Sequence, residues 1–120
     1  MKIAISATEK KLDAQVDSRF GRAPFFLIYD IETDEHDFIE NTRALNAASG
    51  AGVQAAQNVV DSGVDAVLTG HCGPKAFRAL GAGDISIYVN VSGSLRKAIE
   101  AFKEGEYEAA EKADVNGHWT

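Results

Sequence analysis

The order of apolar runs along this 120-residue chain restricts its fold more than any other feature. Three short runs rich in β-branched and aromatic residues come first, at 2–7, 25–29 and 36–40, and they predict three strands. The polar residues 32–35 between the second and third runs predict a hairpin, so these two strands are expected to be antiparallel. Helical and strand patterns then alternate up to about residue 103. A chain with this order is expected to form a mixed sheet.

The second half of the chain supplies the parallel strands and their connecting helices. A helical pattern that ends near Gly63 is predicted to place Val53, Ala56, Gln57 and Val60 on one face. The later elements are predicted in the order strand 64–68, helix 74–81, strand 85–89 and a helix capped by Ser94. The last of these has a regular amphipathic stripe of Leu95, Ala98, Ile99 and Phe102.

Right-handed crossovers between parallel strands then restrict the topology. The expected strand order is 3-2-1-4-5 with strand two antiparallel, which is the ribonuclease-H-like arrangement of a five-stranded α/β sheet flanked by helices. In that arrangement four segments meet at one end of the sheet: 8–23, 41–52, 70–74 and 90–94. Binding sites of such sheets form outside the carboxyl ends of the strands.

Composition limits the classes of protein that remain. The chain is long enough for one domain, 1–120, which we divide into a core of about 1–103 and a charged tail that is helical at its start. The net charge of −6 argues against nucleic-acid binding. A single cysteine fits a reducing compartment, and the first apolar run is too short for a signal peptide or membrane span. We therefore expect a cytoplasmic protein with no membrane partner.

The turn after the fourth strand concentrates the reactive side chains. It reads Gly70-His71-Cys72-Gly73-Pro74, and proline is typical of the first residue of a helix. The start of a helix attracts anions and favours the thiolate form of a nearby cysteine. We expect Cys72 to be solvent-accessible and reactive there.

Basic residues cluster in the same segments. The ranges 41–60, 66–83 and 85–99 each contain bases and no acid, in a chain that is acidic as a whole. Some of these bases fall in the first turns of helices, where a cation opposes the helix dipole by about 0.3–1 kcal/mol. A bound anion would offset that cost. The bases in question are Arg43, Lys75, Arg78, Arg96 and Lys97, with Arg19 and Arg22 from the first loop.

Two enzymatic alternatives are open at this point. The first strand carries no carboxylate, whereas nucleases of this fold need clustered carboxylates for their metal ions. The sequence His71-Cys72, five residues and Arg78 matches the phosphate loop of cysteine phosphatases. Pro74 removes one N–H from such a loop. A pure protein-interaction module is the third class.

Several ordered motifs resemble one known family. They are Met1 to Ser6, Leu12-Asp13, Val16-Asp17, Arg19 to Ala23, Gly50-Ala51-Gly52, Asp65 to Gly70 and Gly73 to Ala76. Together they resemble the dinitrogenase iron–molybdenum cofactor biosynthesis family, which includes NifX, NafY, the carboxyl-terminal domain of NifB and the small orange proteins. The resemblance covers about residues 2–102, and the motifs are most similar to the stand-alone orange-protein-like members. It implies the ribonuclease-H-like fold.

The resemblance also implies a function. Members of the family bind metal–sulfur clusters or their precursors as carriers or scaffolds, so we expect a cluster of molybdenum with iron or copper and sulfide, and no catalysis. The expected partners are proteins that donate or accept the cluster, and an ATPase of the same pathway. The chain itself is expected to be a monomer or weak dimer.

The converging loops and the resemblance together define the candidate binding residues. His71 and Cys72 are the candidate metal ligands, although this pair varies within the family, so the resemblance does not imply ligation by Cys72. The full candidate set is Arg19, Phe20, Gly21, Arg22, Ser49, Gly50, Gly52, Gly70, His71, Cys72, Gly73, Pro74, Lys75, Asn90 and Ser92.

Overall fold

The structure is a computed structural model that describes residues 1–45 and 50–113. Its strands are β1 (Lys2–Ala7), β2 (Phe25–Asp30), β3 (His36–Glu40), β4 (Ala66–Leu68) and β5 (Ser86–Tyr88). Its helices are α1 (Thr42–Leu45), α2 (Ala51–Asp61), α3 (Pro74–Ala82) and α4 (Leu95–Lys103). Within those residues no helix is long and apolar enough to cross a membrane.

All five strands form one sheet in the order β3-β2-β1-β4-β5, so the predicted topology is confirmed. β1 is parallel to β4, with Ala4 opposite Val67, and β4 is parallel to β5. β2 is antiparallel to both β1 and β3. β1, β4 and β5 therefore finish at the same end of the sheet, which we call the site end. The β2–β3 turn lies at the opposite end, which we call the hairpin end.

Alternating side chains of β1 supply two separate apolar layers. Ile3 and Ile5 point to the side of the sheet covered by α4, where they pack with Leu95 and other buried residues. Ala4 points to the other side, which α2 and α3 cover. The sheet is thus buried on both faces, as a sheet with parallel crossovers requires.

The apolar face predicted for α2 is correct at Ala56, which is buried, and at Val60, which packs against the core, and it is wrong at Val53 and Gln57. Its buried residues are Ala51, Gly52, Ala55, Ala56 and Val59, whereas Val53 is 40% exposed and Gln57 is also exposed. Small side chains face the sheet because α2 packs close to it. The larger Val53 dominated the sequence pattern but points to solvent.

Several boundaries also differ from expectation. The predicted loop 41–52 contains the short helix α1 and the start of α2, and β4 and β5 are shorter than the predicted strands 64–68 and 85–89. The segment 104–113 forms no helix beyond the turn at Glu104. Instead it runs beside the sheet, where the Ala110 N–H donates to the carbonyl of Ile87 at 2.7 Å. A strand edge that needs partners explains the difference, because this contact covers the edge of β5. The predicted tail beyond residue 113 lies outside the described residues.

Candidate functional site

Main-chain hydrogen bonds join the predicted loops at the site end. The Phe20 N–H donates to the His71 carbonyl at 3.1 Å, and Arg19 pairs with His71 as a short parallel bridge. The Val16 N–H donates to the Gly93 carbonyl at 2.9 Å, and the Asn90 N–H donates to the Gly70 carbonyl at 2.8 Å. The first loop therefore lies across the two turns that follow β4 and β5.

Glycines allow these segments to approach each other more closely than any side chain would permit. A Cβ atom on Gly70 would lie 2.6 Å from the carbonyl oxygen of Ser18 and 2.7 Å from its Cα. A Cβ atom on Gly21 would lie 3.0 Å from the Cα and the nitrogen of Gly52. Gly50, directly before α2, has a φ of 74°, a conformation that favours glycine. The predicted glycines thus shape the site by packing main chain on main chain.

Cys72 is fully buried, so the expectation that its thiol is accessible is wrong. It belongs to the apolar cluster between α2, α3 and the sheet, and its Sγ–H donates to the Gly73 carbonyl at 3.7 Å. The side chain of Cys72 points into the core, where a free cysteine packs as a small apolar side chain. Ligation of a metal by Cys72 stays a prediction that requires this thiol to move.

Two other candidate residues contribute through their main chain. The side chain of Phe20 is only 1% exposed, and its ring packs against Phe26 with centroids 5.2 Å apart. His71 is half-buried and is held by its pairing with Arg19. Phe20 therefore anchors the first loop in the core and has no surface to offer a ligand. Ser49 and the side chain of Arg43 lie outside the described residues.

The start of α3 has the geometry expected of an anion-binding turn. Gly73 is the residue before the helix, Pro74 is at its first position, and no side chain caps the helix. At the start of α4 the Ser94 hydroxyl accepts from the Lys97 N–H at 3.2 Å. Within the first turns of α2, α3 and α4 there is no acidic residue. The partial positive charge of these helix starts is therefore left without a nearby carboxylate from its own turn.

Acids of the neighbouring loop are engaged by other groups. Asp13 accepts from the Nε of Arg96 at 2.7 Å, and Asp17 accepts from the Arg19 N–H at 3.0 Å. Exposed bases lie on the same segments. The exposed candidates are Arg19, Lys75 and Lys97, with the polar Asn90 and Ser92, and Arg22 is half-buried.

The side chains described in 1–45 and 50–113 contain no group of three or more His, Cys, Asp and Glu that could hold a metal ion. A bare metal ion needs several such ligands. A preassembled anionic cluster needs fewer, because main-chain N–H groups and cations also stabilise it. The residues present fit the second kind of cargo better than the first.

The cysteine-phosphatase alternative is contradicted by the geometry. Its chemistry needs the five residues between cysteine and arginine to curl around a phosphate. Here α3 already starts at Pro74, and the Phe77 N–H donates to the Gly73 carbonyl at 2.9 Å. Arg78 lies in the helix, and Cys72 is buried. The match in sequence is therefore coincidental.

Three buried polar residues form hydrogen bonds beneath the loops of the site, and the sequence pattern did not predict them: Ser6, Thr69 and Asn41. The Ser6 hydroxyl donates to the Asp17 carbonyl at 2.8 Å and lies 2.8 Å from the hydroxyl of Thr69. The buried Asn41 donates to the Ala23 carbonyl at 2.8 Å and accepts from Asn58 at 2.7 Å. The one signal in the sequence was Ser6, which lies in the predicted strand 2–7, because a buried hydroxyl needs a hydrogen-bond partner.

Comparison with known proteins agrees with the observed fold and with the expected family. The family model described as dinitrogenase iron–molybdenum cofactor matches residues 1–105. The chain is 33% identical over 114 residues to an uncharacterized protein of Methanocaldococcus jannaschii, with 92% of each chain covered.

Two solved structures are similar to the whole domain. The apo form of the orange protein from Desulfovibrio gigas has 36% identity and a TM-score of 0.93, with 95% of this chain and 96% of that chain covered. A Thermotoga protein proposed to be NifB, solved by NMR, has 33% identity and a TM-score of 0.80, with 95% and 98% covered. The fold expected from the sequence is confirmed, and the chain belongs to the dinitrogenase iron–molybdenum cofactor family.

Proposed function

We propose that this protein binds an anionic metal–sulfur cluster at the site end of its sheet and carries it between other proteins. The cargo would be a sulfide cluster that contains molybdenum, together with iron or copper. Its partners would be the proteins that assemble the cluster and those that receive it, including an ATPase of the same pathway. Membership of a cofactor family supports the general role. The choice of molybdenum with iron or copper rests on the family resemblance, and the anionic character of the cargo is supported by the site residues.

One observation carries the proposal: helix starts without acids meet exposed bases in a chain of net charge −6. An acidic protein repels an anion unless the binding surface is locally positive. Lys75 and Lys97 lie in first turns, where they oppose the helix dipole unless an anion is present. A bound anion would therefore stabilise these lysines and helix starts, which repel each other in its absence.

Arg19 and Lys75 would contact the cargo first, because both are exposed and lie on segments joined at the site end. Each exposed base contributes on the order of 1 kcal/mol, and less at high salt. The main-chain N–H groups at the start of α3 would add hydrogen bonds to sulfide or oxide ligands. Cys72 would stay below the cargo unless the turn 70–73 opens.

The test uses tetrathiomolybdate, a coloured dianion, added anaerobically with and without a copper(I) salt. We expect the wild-type protein to retain molybdenum and visible absorption after gel filtration. Arg19→Glu combined with Lys75→Glu should bind roughly tenfold more weakly or worse, since about 1.4 kcal/mol corresponds to tenfold. The loss should shrink as salt is added.

The matched control reverses two lysines away from the site. Lys2 is at the start of β1 and Lys103 is at the far end of α4, so Lys2→Glu with Lys103→Glu gives the same net charge. This variant should bind tetrathiomolybdate like the wild type. Equal weakening in both double variants would show that only total charge matters. A colourless wild-type protein without molybdenum, iron or copper would instead favour the protein-interaction module.

A further inference from the structure

The two edges of the sheet differ in length and in cover. β5 has three residues, and the segment 104–113 lies against it through the bond from the Ala110 N–H to the Ile87 carbonyl. β3 has five residues and is the last strand at the opposite edge. Its pairing with β2 is continuous over all five residues, so no bulge turns it away. The longer edge therefore keeps the geometry that another strand needs.

Hydrogen bonds to β2 show which main-chain groups of β3 point outward. The Asp30 N–H donates to the Glu35 carbonyl at 2.9 Å, and the Asn41 N–H donates to the Pro24 carbonyl at 3.0 Å. Residues bonded to the neighbouring strand alternate along an antiparallel pair, so the odd-numbered residues of β3 face β2. The N–H and carbonyl groups of the even-numbered residues therefore point away from the sheet.

The residues with outward groups are His36, Phe38 and Glu40. His36 and Glu40 are exposed, and Phe38 is half-buried. The Phe38 N–H donates to the Oδ1 of its neighbour Asp37 at 2.8 Å, and Asp37 is exposed as well. A docked strand would take over this N–H with one of its own carbonyls and release the carboxylate to pair with a base.

Charge decides which kind of strand this edge accepts. The segment 30–40 contains six acids and no lysine or arginine. Three of these acids, Glu35, Asp37 and Glu40, lie on β3 or directly before it, and all three are exposed. Like charges that face each other on neighbouring strands are destabilising, whereas opposite charges stabilise the pair. A second copy of β3 would add acids to acids, so the edge favours a basic strand.

We propose that β3 binds an extended basic segment of another protein as a sixth strand of the sheet. The bases of that segment would lie beside Glu35 and Asp37, which share one face, and its apolar residues beside Phe38 on the other face. The docked segment would extend to the first loop, because Lys10 of that loop pairs with Glu40 at 3.3 Å. The partner would thus be held next to the site end.

The test uses the full-length protein and the capped peptide Thr-Lys-Val-Arg-Val-Lys-Thr. Its valines can pair with His36 and Phe38 while its arginine lies opposite Asp37. Hydrogen exchange followed by NMR is the readout. The peptide should slow exchange of the His36 and Phe38 amides several-fold, whereas the Asp37 and Ile39 amides, which face β2, should change little. Binding without slower exchange of the outward amides would overturn the proposal.

Two control peptides separate strand pairing from attraction between charges. A peptide with N-methylated valines keeps every charge but loses the N–H groups that would bond to β3, so it should not slow exchange. A peptide with glutamate in place of each base should not bind. If the N-methylated peptide binds as well as the original, charge alone is responsible and the proposal is wrong.

A matched pair of variants tests the same edge from the side of the protein. His36→Ala and His36→Pro both remove the imidazole, but only proline removes the outward N–H, a position where an edge strand tolerates it. With a fluorescent peptide, His36→Pro should bind about fivefold more weakly than His36→Ala, as expected for the loss of one hydrogen bond. Circular dichroism should be the same for both. Outward amides that are protected in the free protein and lose protection on dilution would show that β3 pairs with a second copy instead.

Discussion

The two ends of the same sheet are held together by different interactions. At the site end, main chain packs on main chain, as between Gly70 and Ser18, and the supporting polar groups are buried. At the hairpin end, exposed charged side chains supplement the main-chain hydrogen bonds of the β2–β3 turn. Asp34 accepts from the hydroxyl of Tyr29 at 2.5 Å and from the Nζ of Lys103 at 2.6 Å, with 62% of its own side chain exposed.

This difference predicts which perturbations each end resists. Steric contacts between backbones do not depend on salt or pH, but they tolerate no added atom. Exposed ion pairs tolerate substitution but weaken in salt and at extreme pH. A binding surface that must keep its shape under varied conditions is better built in the first way. The site end, where the family resemblance also concentrates, is built in that way.

The largest effect is expected from Gly70→Ala. The new methyl group would overlap the carbonyl oxygen and Cα of Ser18, at 2.6 and 2.7 Å, and these main-chain atoms cannot move aside as the end of a side chain could. Overpacking of this kind should lower the free energy of unfolding by on the order of 3 kcal/mol. Urea denaturation followed by circular dichroism measures it.

Gly81→Ala is the matched control for this substitution. It adds the same methyl group to a helix position where, among the described residues and apart from the helix's own backbone, nothing lies within 4 Å of the new Cβ. Alanine is the better helix former, so stability should stay the same or rise by up to about 1 kcal/mol. If both variants lose the same amount, the glycines matter only through chain entropy, and the close packing at the site end is irrelevant to stability.

The second effect concerns the thiol beneath the site. Cys72→Ser places a hydroxyl in an apolar cluster and should lower the free energy of unfolding by about 1–2 kcal/mol. Cys72→Ala should lower it by less. In the wild type, a disulfide reagent should modify Cys72 slowly in buffer and rapidly in urea, because the side chain is fully buried. Rapid modification in buffer, with unfolding still cooperative, would show that the turn 70–73 opens readily and that the site end is less rigid than its close main-chain contacts imply.

The topology was predictable because the order of apolar runs leaves few ways to connect the strands. The bounds of β1 and β3 were predicted to the residue, since β1 is a mostly apolar run that ends at a polar loop and β3 follows the polar turn 32–35. The prediction of a positive site end used charge alone, which is visible in the sequence. The structure adds that Arg19, Lys75 and Lys97 are exposed and that Arg96 is paired with Asp13. Family motifs then strengthened the same assignment.

Other features could not be read from the sequence. The contact between Gly70 and Ser18 joins residues far apart in the chain, and a glycine alone does not reveal what approaches it. The inward direction of Cys72 depends on how α3 leaves its turn. In α2 the small residues face the sheet, so a pattern weighted by side-chain size favoured Val53 instead. These are consequences of tertiary packing, which overrides local pattern.

The smallest effect is expected at the hairpin end, from Lys103→Met. The hydrogen bond from Lys103, and after it that from Tyr29, holds the pKa of Asp34 below its usual value. A carboxyl with a lowered pKa stabilises the fold above its unfolded pKa, and this contribution is lost as pH falls through the folded pKa. The pKa of Lys103 is raised, mainly by the same bond, so its contribution is lost as pH rises through that folded pKa.

Lys103→Met should therefore lower the free energy of unfolding only slightly at neutral pH, and the deficit should disappear in acid, in strong alkali and at high salt. Lys97→Met, at the other end of α4, is the control. Lys97 is in the first turn and opposes the helix dipole, so its removal should stabilise the helix slightly, whereas Lys103 is in the last turn and favours the dipole. Denaturation curves at several pH values would show this opposite sign. A deficit in Lys103→Met that persists at every pH and in salt would mean that the hairpin end is held by packing, as the site end is.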